Sequence, residues 1–280
     1  MINMKNLKIP TFVKWAGGKT QLLEQFSKYL PKKFNGYLEP FVGSGALFFY
    51  IKKNFSPEKV ILSDLNKELI TCFEVVRDNP EELIKLLIKH KKNHSKEYYY
   101  KIRDSDVSKL SKVEIAARLI YLNKTCFNGL YRVNSEGKFN VPIGSYKKPK
   151  IFNEIILRKA SDLLQNVELK VMPFEQIFDF AKKEDFVYLD PPYYPLTKTS
   201  NFTSYTKDIF LEKEQEKLSE VFKELDKKGC FVMLSNSDHP FIKNLYKNYR
   251  IIDVKARRAI SCIGSKRGKI NELVIRNYKV

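Results

Sequence analysis

The sequence predicts an α/β fold in which a doubly wound, Rossmann-like sheet is interrupted by an inserted, mostly helical segment. A strand, a glycine-rich turn and a helix follow one another over residues 37–51, which is the first half of a doubly wound unit. Short apolar strands alternate with helices again after residue 165. Between these parts the pattern changes to basic helices. We therefore expect one domain formed by residues 1–72 and 166–280, and an inserted domain formed by residues 73–165.

Composition and charge limit the function classes. The 280 residues contain 51 Lys and Arg against 32 Asp and Glu, a net charge of +19 that favours a polyanionic partner such as nucleic acid. A lysine-rich solvated surface is the alternative interpretation. The four cysteines are far apart and form no C-x-x-C pair, which argues against a zinc site or a disulfide framework. No signal peptide and no run of about 18 apolar residues is present. We expect a cytoplasmic protein with reduced thiols and no membrane segment.

The first motif lies near the N-terminus. Gly17, Gly18 and Lys19 precede apolar positions at helical spacing, so backbone amides and an ammonium group could meet an anionic group there. The spacing is not that of a P-loop. A tight helix entry with Trp15 buried in the core is the alternative.

The first strand, residues 37–41, leads into the turn of Gly43, Ser44 and Gly45 and a helix over residues 46–51. The second strand, residues 60–63, ends at Asp64, which lies 19 residues beyond Gly45. An acidic residue at about this spacing reaches ribose hydroxyls in doubly wound folds.

The inserted segment begins with predicted helices over residues 81–94 and 113–122, the second of them apolar and buried. His90 and His94 are spaced as metal ligands on one helix face. Because no third ligand is near in the sequence, we expect them to lie on a solvated face.

A β-hairpin is predicted over residues 132–141, because a Ser-Glu-Gly turn separates two short runs of alternating polar and apolar residues. Its polar and basic side chains suit base edges and phosphates in a major groove. An ordinary solvated hairpin is the alternative.

The C-terminal part is predicted to complete the sheet. Residues 255–269 form a basic, glycine- and serine-containing loop that could hold phosphates. The predicted strands are 167–171, 186–189, 231–234, 251–254 and 273–278, and the predicted helices are 174–180, 212–225 and 238–249.

The tetrapeptide Asp190, Pro191, Pro192 and Tyr193 follows the buried strand 186–189, where open α/β sheets hold ligands. The two prolines stiffen the turn. Asp190 and the Pro191 carbonyl could each accept one N–H of a planar amine while Tyr193 stacks on its ring. A strand-ending turn whose aspartate caps a backbone amide is the alternative.

Together these motifs resemble the Dam-type, α-group DNA adenine-N6 methyltransferases, and among them the DpnII-like GATC methylases. The resemblance extends over almost the whole chain and includes the order of the motifs, with the recognition part inserted before D-P-P-Y. It implies S-adenosylmethionine as methyl donor, double-stranded DNA as partner, GATC as target, and flipping of the adenine into the D-P-P-Y pocket. The matching stretches are 14–19, 39–45, 63–66, 127–132, 139–144, 190–193 and 257–272.

The resemblance also implies roles for individual residues. Phe174 would line the adenosine pocket, although Pro173 stands where the family often has an acidic residue. Phe127 replaces a tyrosine of some members and keeps a stacking or wedge role. The implied cofactor-binding residues are Trp15, Ala16, Gly17, Lys19, Phe41, Gly43, Ser44, Gly45, Asp64, Asn66, Phe174 and Asp190, and the implied catalytic residues are Asp190, Pro191, Pro192 and Tyr193. The predicted DNA-binding residues are Lys14, Phe127, Asn128, Leu130, Arg132, Asn134, Pro142, Tyr146, Arg257, Arg258, Lys266 and Arg267.

Other activities stay open at this point. The related enzyme reactions are methylation of cytosine N4, of RNA adenine N6 or of a protein amide, and the aspartate heading D-P-P-Y favours adenine. A DNA-binding module without catalysis is the alternative from another class. We expect no metal, a monomer that associates with the nucleoid through DNA, and no stable complex with any restriction endonuclease that is paired with it in function.

Overall fold

The computed structural model describes residues 9–15, 17–196, 210–257 and 269–280. Within these ranges seven strands form one sheet: β1 (Gly36–Glu39), β2 (Lys59–Asp64), β3 (Glu168–Val171), β4 (Phe186–Leu189), β5 (Phe231–Ser237), β6 (Arg250–Arg257) and β7 (Lys269–Arg276). Their order is β3-β2-β1-β4-β5-β7-β6. β1 to β5 are parallel, and β7 is antiparallel to β5 and β6. The predicted α/β sheet is confirmed.

Helices cover both faces of this sheet. The described helices are α1 (Leu23–Phe26), α2 (Ala46–Asn54), α3 (Lys67–Asp78), α4 (Pro80–Lys92), α5 (Lys96–Arg103), α6 (Lys112–Thr125), α7 (Glu154–Leu164), α8 (Ile177–Phe180), α9 (Glu212–Lys227) and α10 (Pro240–Leu245). Alternate residues of β4 point to opposite faces. Phe186 and Tyr188 join the buried cluster that includes α2, α3 and α6, whereas Val187 and Leu189 join the cluster of α9 and α10. Because both faces are covered, the strand is apolar at every position.

The sheet order also determines where a ligand can bind. β1 pairs with β2 on one side and with β4 on the other, so the strand order reverses between β1 and β4. Loops that leave the carboxyl ends of such neighbouring strands diverge and open a crevice. The glycine-rich turn follows β1 and the D-P-P-Y turn follows β4, so the two motifs face one crevice.

The helical insertion packs directly on the sheet domain. α6 begins with a capping box of Ser111 and Glu114 and is buried along most of its length, mainly against α3. The predicted domain boundary between residues 72 and 73 lies within α3, and one buried cluster includes Leu69 and Phe73 of α3 with Leu119 of α6. The division into two domains stays a prediction.

His90 and His94 differ from their expected solvated position. His90 is 9% exposed, stacks on Tyr121 with ring centroids 5.0 Å apart, and its Nδ1 lies 2.8 Å from the Tyr98 hydroxyl. His94 Nδ1 lies 2.8 Å from the Tyr121 hydroxyl. Burial lowers the pKa of His90 to about 4. The tyrosines come from α5 and α6, which the pattern of α4 alone could not reveal. In the described ranges no cluster of His, Cys, Asp or Glu could hold a metal.

Residues 132–140 form a short hairpin that is closed by backbone hydrogen bonds. The Asn140 N–H donates to the Arg132 carbonyl (3.1 Å), and the Asn134 N–H donates to the Lys138 carbonyl (2.9 Å). Asn134 Oδ1 accepts the N–H groups of Glu136 and Lys138, so this side chain shapes the turn.

The predicted basic loop over residues 255–269 is shorter than expected. β6 continues to Arg257 and β7 begins at Lys269, and these two residues are paired in the antiparallel register. Arg257 is therefore a strand residue, while Arg258, Lys266 and Arg267 lie outside the described residues.

The predicted helix over residues 238–249 is confined to Pro240–Leu245. No described helix combines the length and apolar character needed to cross a bilayer.

Candidate active site

A cavity of about 510 Å³ opens at the carboxyl ends of β1, β2 and β4. Its wall comes from the N-terminal segment (residues 14–19), from the loops after β1, β2 and β3, from the D-P-P-Y turn after β4, and from Phe210 and Glu214 at the start of α9. The predicted cofactor-binding and catalytic residues that line it are Trp15, Gly17, Lys19, Phe41, Gly43, Ser44, Asp64, Asn66, Phe174, Asp190, Pro191, Pro192 and Tyr193. Ala16 lies outside the described residues.

Asp190 is held against Lys19 at the end of β4. Lys19 Nζ lies 2.7 Å from Asp190 Oδ1, and the Lys19 side chain is only 4% exposed. Burial raises the pKa of Asp190 to about 6, and the charge of Lys19 opposes this rise. Lys19 Nζ also lies 4.7 Å from the centroid of the Tyr193 ring. The carboxylate, the ammonium and the aromatic face thus form one compact group.

The D-P-P-Y turn is fixed by residues from three other elements. Gln215 of α9 donates to the Pro192 carbonyl (3.0 Å), and Asn236 of β5 donates to Gln215 Oε1 (2.9 Å). Tyr193 donates its hydroxyl to Glu272 of β7 (2.8 Å). Among the described residues no hydrogen bond uses the Pro191 carbonyl, which stays available to a ligand.

The sequence analysis missed Gln215, Asn236 and Glu272. Gln215 is fully buried on the apolar face of α9, in line with Leu218 and Phe222. A polar residue within such a stripe is a signal that could have been used. Asn236 and Glu272 gave no comparable signal. They come near the turn because β5 lies beside β4 and β7 pairs with β5, and the local sequence does not reveal this pairing.

Glu39 is a further acidic residue that the sequence analysis left without a role. It ends β1, lines the cavity and is 3% exposed. It accepts the Tyr37 hydroxyl at 2.7 Å, and burial raises the pKa of Glu39 well above its usual range.

The loops after β1 and β2 approach each other closely. Gly43 has a φ of +48°, and a Cβ there would lie 2.9 Å from the Trp15 ring. Asp64 accepts the N–H of Asn66 at 3.0 Å and that of Gly43 at 3.4 Å. Burial raises the pKa of Asp64 to about 6, and these backbone hydrogen bonds oppose the rise. Gly45 is not among the described lining residues. Its φ is +66° and a Cβ there would meet Phe73 at 3.2 Å, so backbone conformation and packing both favour glycine, and its contact with a cofactor stays a prediction.

Aromatic rings form one end of the cavity. Phe41 and Phe174 are stacked with centroids 5.4 Å apart and an interplanar angle of 27°. Phe210, which was not predicted, lies edge-on to Phe41 at 5.9 Å. Such a wall offers planar apolar surface to a purine.

The predicted DNA-binding residues lie mainly on one surface beside the cavity, which we call the recognition segment (residues 127–146). Phe127 is 49% exposed and Tyr146 is 38% exposed. Lys14 Nζ lies 5.3 Å from the centroid of the Tyr146 ring. Arg132 is exposed, and its Nε donates to Asn140 Oδ1 (2.8 Å). Asn128 and Pro142 are exposed and Leu130 is half-buried.

An open, mostly parallel sheet with a cavity at its switch point is typical of enzymes that bind a nucleotide-like cofactor. The chain matches the family described as D12 class N6 adenine-specific DNA methyltransferase over residues 15–260. It belongs to this family and is a DNA adenine-N6 methyltransferase.

Its relatives agree with this assignment over nearly their full length. The type II methyltransferase M1.LlaDCHI of Lactococcus lactis subsp. cremoris is 45% identical, and the match covers 99% of each chain. The type II methyltransferase M.MjaIII of Methanocaldococcus jannaschii is 45% identical over 97% of this chain and 100% of the relative. The DNA adenine methylase of Escherichia coli K12 is 35% identical over 94% and 93%.

Proposed function

We propose that this methyltransferase uses S-adenosylmethionine to methylate N6 of an adenine that is flipped out of a GATC site in double-stranded DNA. The observation that carries the proposal is the compact group of Asp190, Lys19 and Tyr193 in the wall of a cavity that fits a nucleoside. We further propose that the protein acts as a monomer, without a stable complex with an endonuclease.

The charge of the cavity supports a cationic cofactor. Among its described lining residues five are acidic and one, Lys19, is basic, although the whole chain has a net charge of +19. The acidic residues are Glu39, Asp64, Glu175, Asp190 and Glu214. A sulfonium cation would offset the unfavourable burial of the Asp64 and Asp190 carboxylates. The strongly basic remainder of the chain suits the phosphates of DNA.

The lining residues fit the parts of S-adenosylmethionine. Phe41 and Phe174 would hold the adenine ring, Asp64 would accept ribose hydroxyls, and Gly43 allows Trp15 to close over the turn. When bound, the cofactor supplies an electrophilic methyl group.

The reaction requires the target base to leave the DNA stack, since N6 is inaccessible within a duplex. Stacking on Tyr193 would recover about 1 to 3 kcal/mol of the cost of flipping. Asp190 and the Pro191 carbonyl would accept the two N6 hydrogens, which stabilises the positive charge that develops on nitrogen. The Asp190 carboxylate can then take up the proton that N6 releases after transfer.

Replacing Lys19 with methionine should move the acid limb of the pH–rate profile upwards. Asp190 must be deprotonated to accept a hydrogen bond from N6, so wild-type kcat/KM should rise as the pH increases through about 6. Loss of the Lys19 charge removes an influence that lowers the pKa of Asp190, so the limb should lie at higher pH. The measurement is kcat/KM at subsaturating cofactor and DNA between pH about 5 and about 8, because this ratio reports the pKa values of the free enzyme. Lys19→Arg, which keeps the charge, is the control, and an unmoved limb in Lys19→Met would contradict this role.

The proposed target is tested with labelled S-adenosylmethionine and two duplexes that differ only in having GATC intact or scrambled. Transfer to N6 of adenine in the GATC duplex alone supports the whole proposal. Transfer to both duplexes would reject the target sequence while leaving the chemistry intact. Transfer to neither, despite cofactor binding, would reject GATC duplex DNA as the substrate.

A further inference from the structure

Tyr131 lies between the cofactor cavity and the surface proposed to read DNA. Its side chain is buried, with 7% exposure. One face of its ring stacks on Trp15, with centroids 5.2 Å apart and an interplanar angle of 28°. Phe139, from the second arm of the hairpin, packs edge-on against it at 5.7 Å. Trp15 lines the cavity, so Tyr131 supports the cavity wall from behind.

The Tyr131 hydroxyl extends this connection to the loop after β2. It interacts with the side chain of Asn66, which opposes the rise that burial causes in the pKa of Tyr131. Asn66 in turn donates its backbone N–H to Asp64 and accepts the Leu69 N–H at the start of α3. One residue of the recognition segment therefore contacts two separate walls of the cavity.

A second connection runs through Asn123 near the end of α6. Asn123 is 1% exposed, and its side chain pairs with the backbone of Lys14 through two hydrogen bonds of 2.7 Å. Its Nδ2 also donates to the Gly129 carbonyl at 3.2 Å. A Cβ at Gly129 would lie 2.6 Å from Lys14 Cδ, so the Lys14 side chain packs directly on the backbone of Gly129. The N-terminal segment and the recognition segment are thus held together at Lys14 and at Trp15.

We propose that Tyr131 is a positioning residue that couples occupancy of the cofactor cavity to DNA binding by the recognition segment. The inference rests on the proposed function. A cofactor that contacts Trp15 and Asp64 restrains Trp15 directly and Asn66 through its N–H bond to Asp64, and thereby orders the segment that meets DNA. By thermodynamic reciprocity, bound DNA must strengthen cofactor binding by the same factor. Coupling of this kind is typically about 5- to 150-fold.

The test measures the Kd of S-adenosylhomocysteine, an unreactive product, by calorimetry with and without a GATC duplex. The ratio of the two constants is the coupling factor, and the Kd of DNA with and without S-adenosylhomocysteine must give the same factor. Tyr131→Leu should lower this factor about five-fold or more, towards one. Tyr131→Phe retains the ring stack and should keep most of the coupling. Asn123→Ser removes the second connection and provides the same test if Tyr131→Leu does not fold.

Tyr246→Leu is the matched control. Tyr246 is a fully buried tyrosine that packs edge-on against Phe222 at 5.3 Å, within the cluster on the other face of the sheet. Its loss should lower stability without changing the coupling factor. A wild-type factor of one, or an unchanged factor in Tyr131→Leu, would overturn the inference while methylation by the wild type still upholds the proposed function. Absence of cofactor binding and methylation in the wild type would reject the proposed function itself.

Discussion

Asp190→Ala should lower kcat by about 1000-fold or more. The variant lacks the acceptor that we propose stabilises the charge developing on N6, and loss of a single group of this kind typically costs about 100- to 1000-fold. It also lacks the carboxylate proposed to take the proton, which adds to the loss. Phe41, Asp64 and Phe174 remain, so binding of S-adenosylhomocysteine should persist.

The measurement is single-turnover methyl transfer at saturating cofactor and DNA, together with a thermal melt. Lys19 keeps the Gly17 carbonyl as an acceptor in the variant, but its buried charge loses its partner carboxylate. The double variant Asp190→Ala/Lys19→Met therefore separates a folding defect from a catalytic one. Near-normal turnover in either folded variant would reject Asp190 as the catalytic group.

Asp185→Asn is a control at the opposite end of the same strand. Asp185 is 5% exposed and accepts the N–H groups of Gly36 and Lys182, each at 2.8 Å. It lies far from the carboxyl end of β4, so its replacement should reduce thermal stability and leave kcat unchanged. If Asp185→Asn lowered kcat as much as Asp190→Ala does, the loss of turnover would not be specific to Asp190.

The fold could be predicted wherever local pattern and burial agree. β4 was predicted with its observed limits because a strand covered on both faces is apolar throughout. Asp64 and Asp190 could be placed at one edge of the sheet because each follows the end of a strand, whereas Lys19 was placed there by the family resemblance. In open α/β sheets, ligands bind at the carboxyl ends of the strands where the strand order reverses. The order of strands and helices along the chain indicates where this point lies.

Residues that meet only through tertiary packing were beyond sequence reasoning. Glu272 reaches Tyr193 from a strand 79 positions later in the chain. His90 is buried only because tyrosines of two other helices cover it. Tyr131 resembles an ordinary apolar residue of a loop until its contacts with Trp15 and Phe139 are known.

The helices α3, α5 and α7 were missed for a different reason. α5 contains Tyr98, Tyr99 and Tyr100 within eight residues, and aromatic residues have only moderate helix propensity. α3 and α7 bury their apolar faces against each other and against the sheet and insertion. Each begins at an N-capping asparagine, Asn66 for α3 and Asn153 for α7, which is a local signal that was not used in predicting the helices.

Arg132→Ala should relax the choice of target sequence by about 10- to 100-fold. A bidentate arginine contact to guanine contributes roughly 1 to 3 kcal/mol of discrimination. Arg132 lies on the exposed stem of the hairpin, and its partner is Asn140 of the same hairpin. A guanine could replace this partner without breaking a buried contact, because the side chain is solvent-exposed.

The quantity to measure is kcat/KM on a GATC duplex divided by kcat/KM on duplexes with one changed base pair, at a fixed salt concentration. Lys138→Ala is the matched control, since Lys138 is a cation of the same hairpin that pairs with Glu136 at 2.9 Å. It should change affinity for all duplexes equally. Arg132→Lys keeps the charge but loses the planar fork, so it should behave like Arg132→Ala in specificity. If Arg132→Ala instead weakens every duplex by the same factor, as Lys138→Ala should, then Arg132 contacts phosphate and sequence discrimination resides elsewhere in the recognition segment.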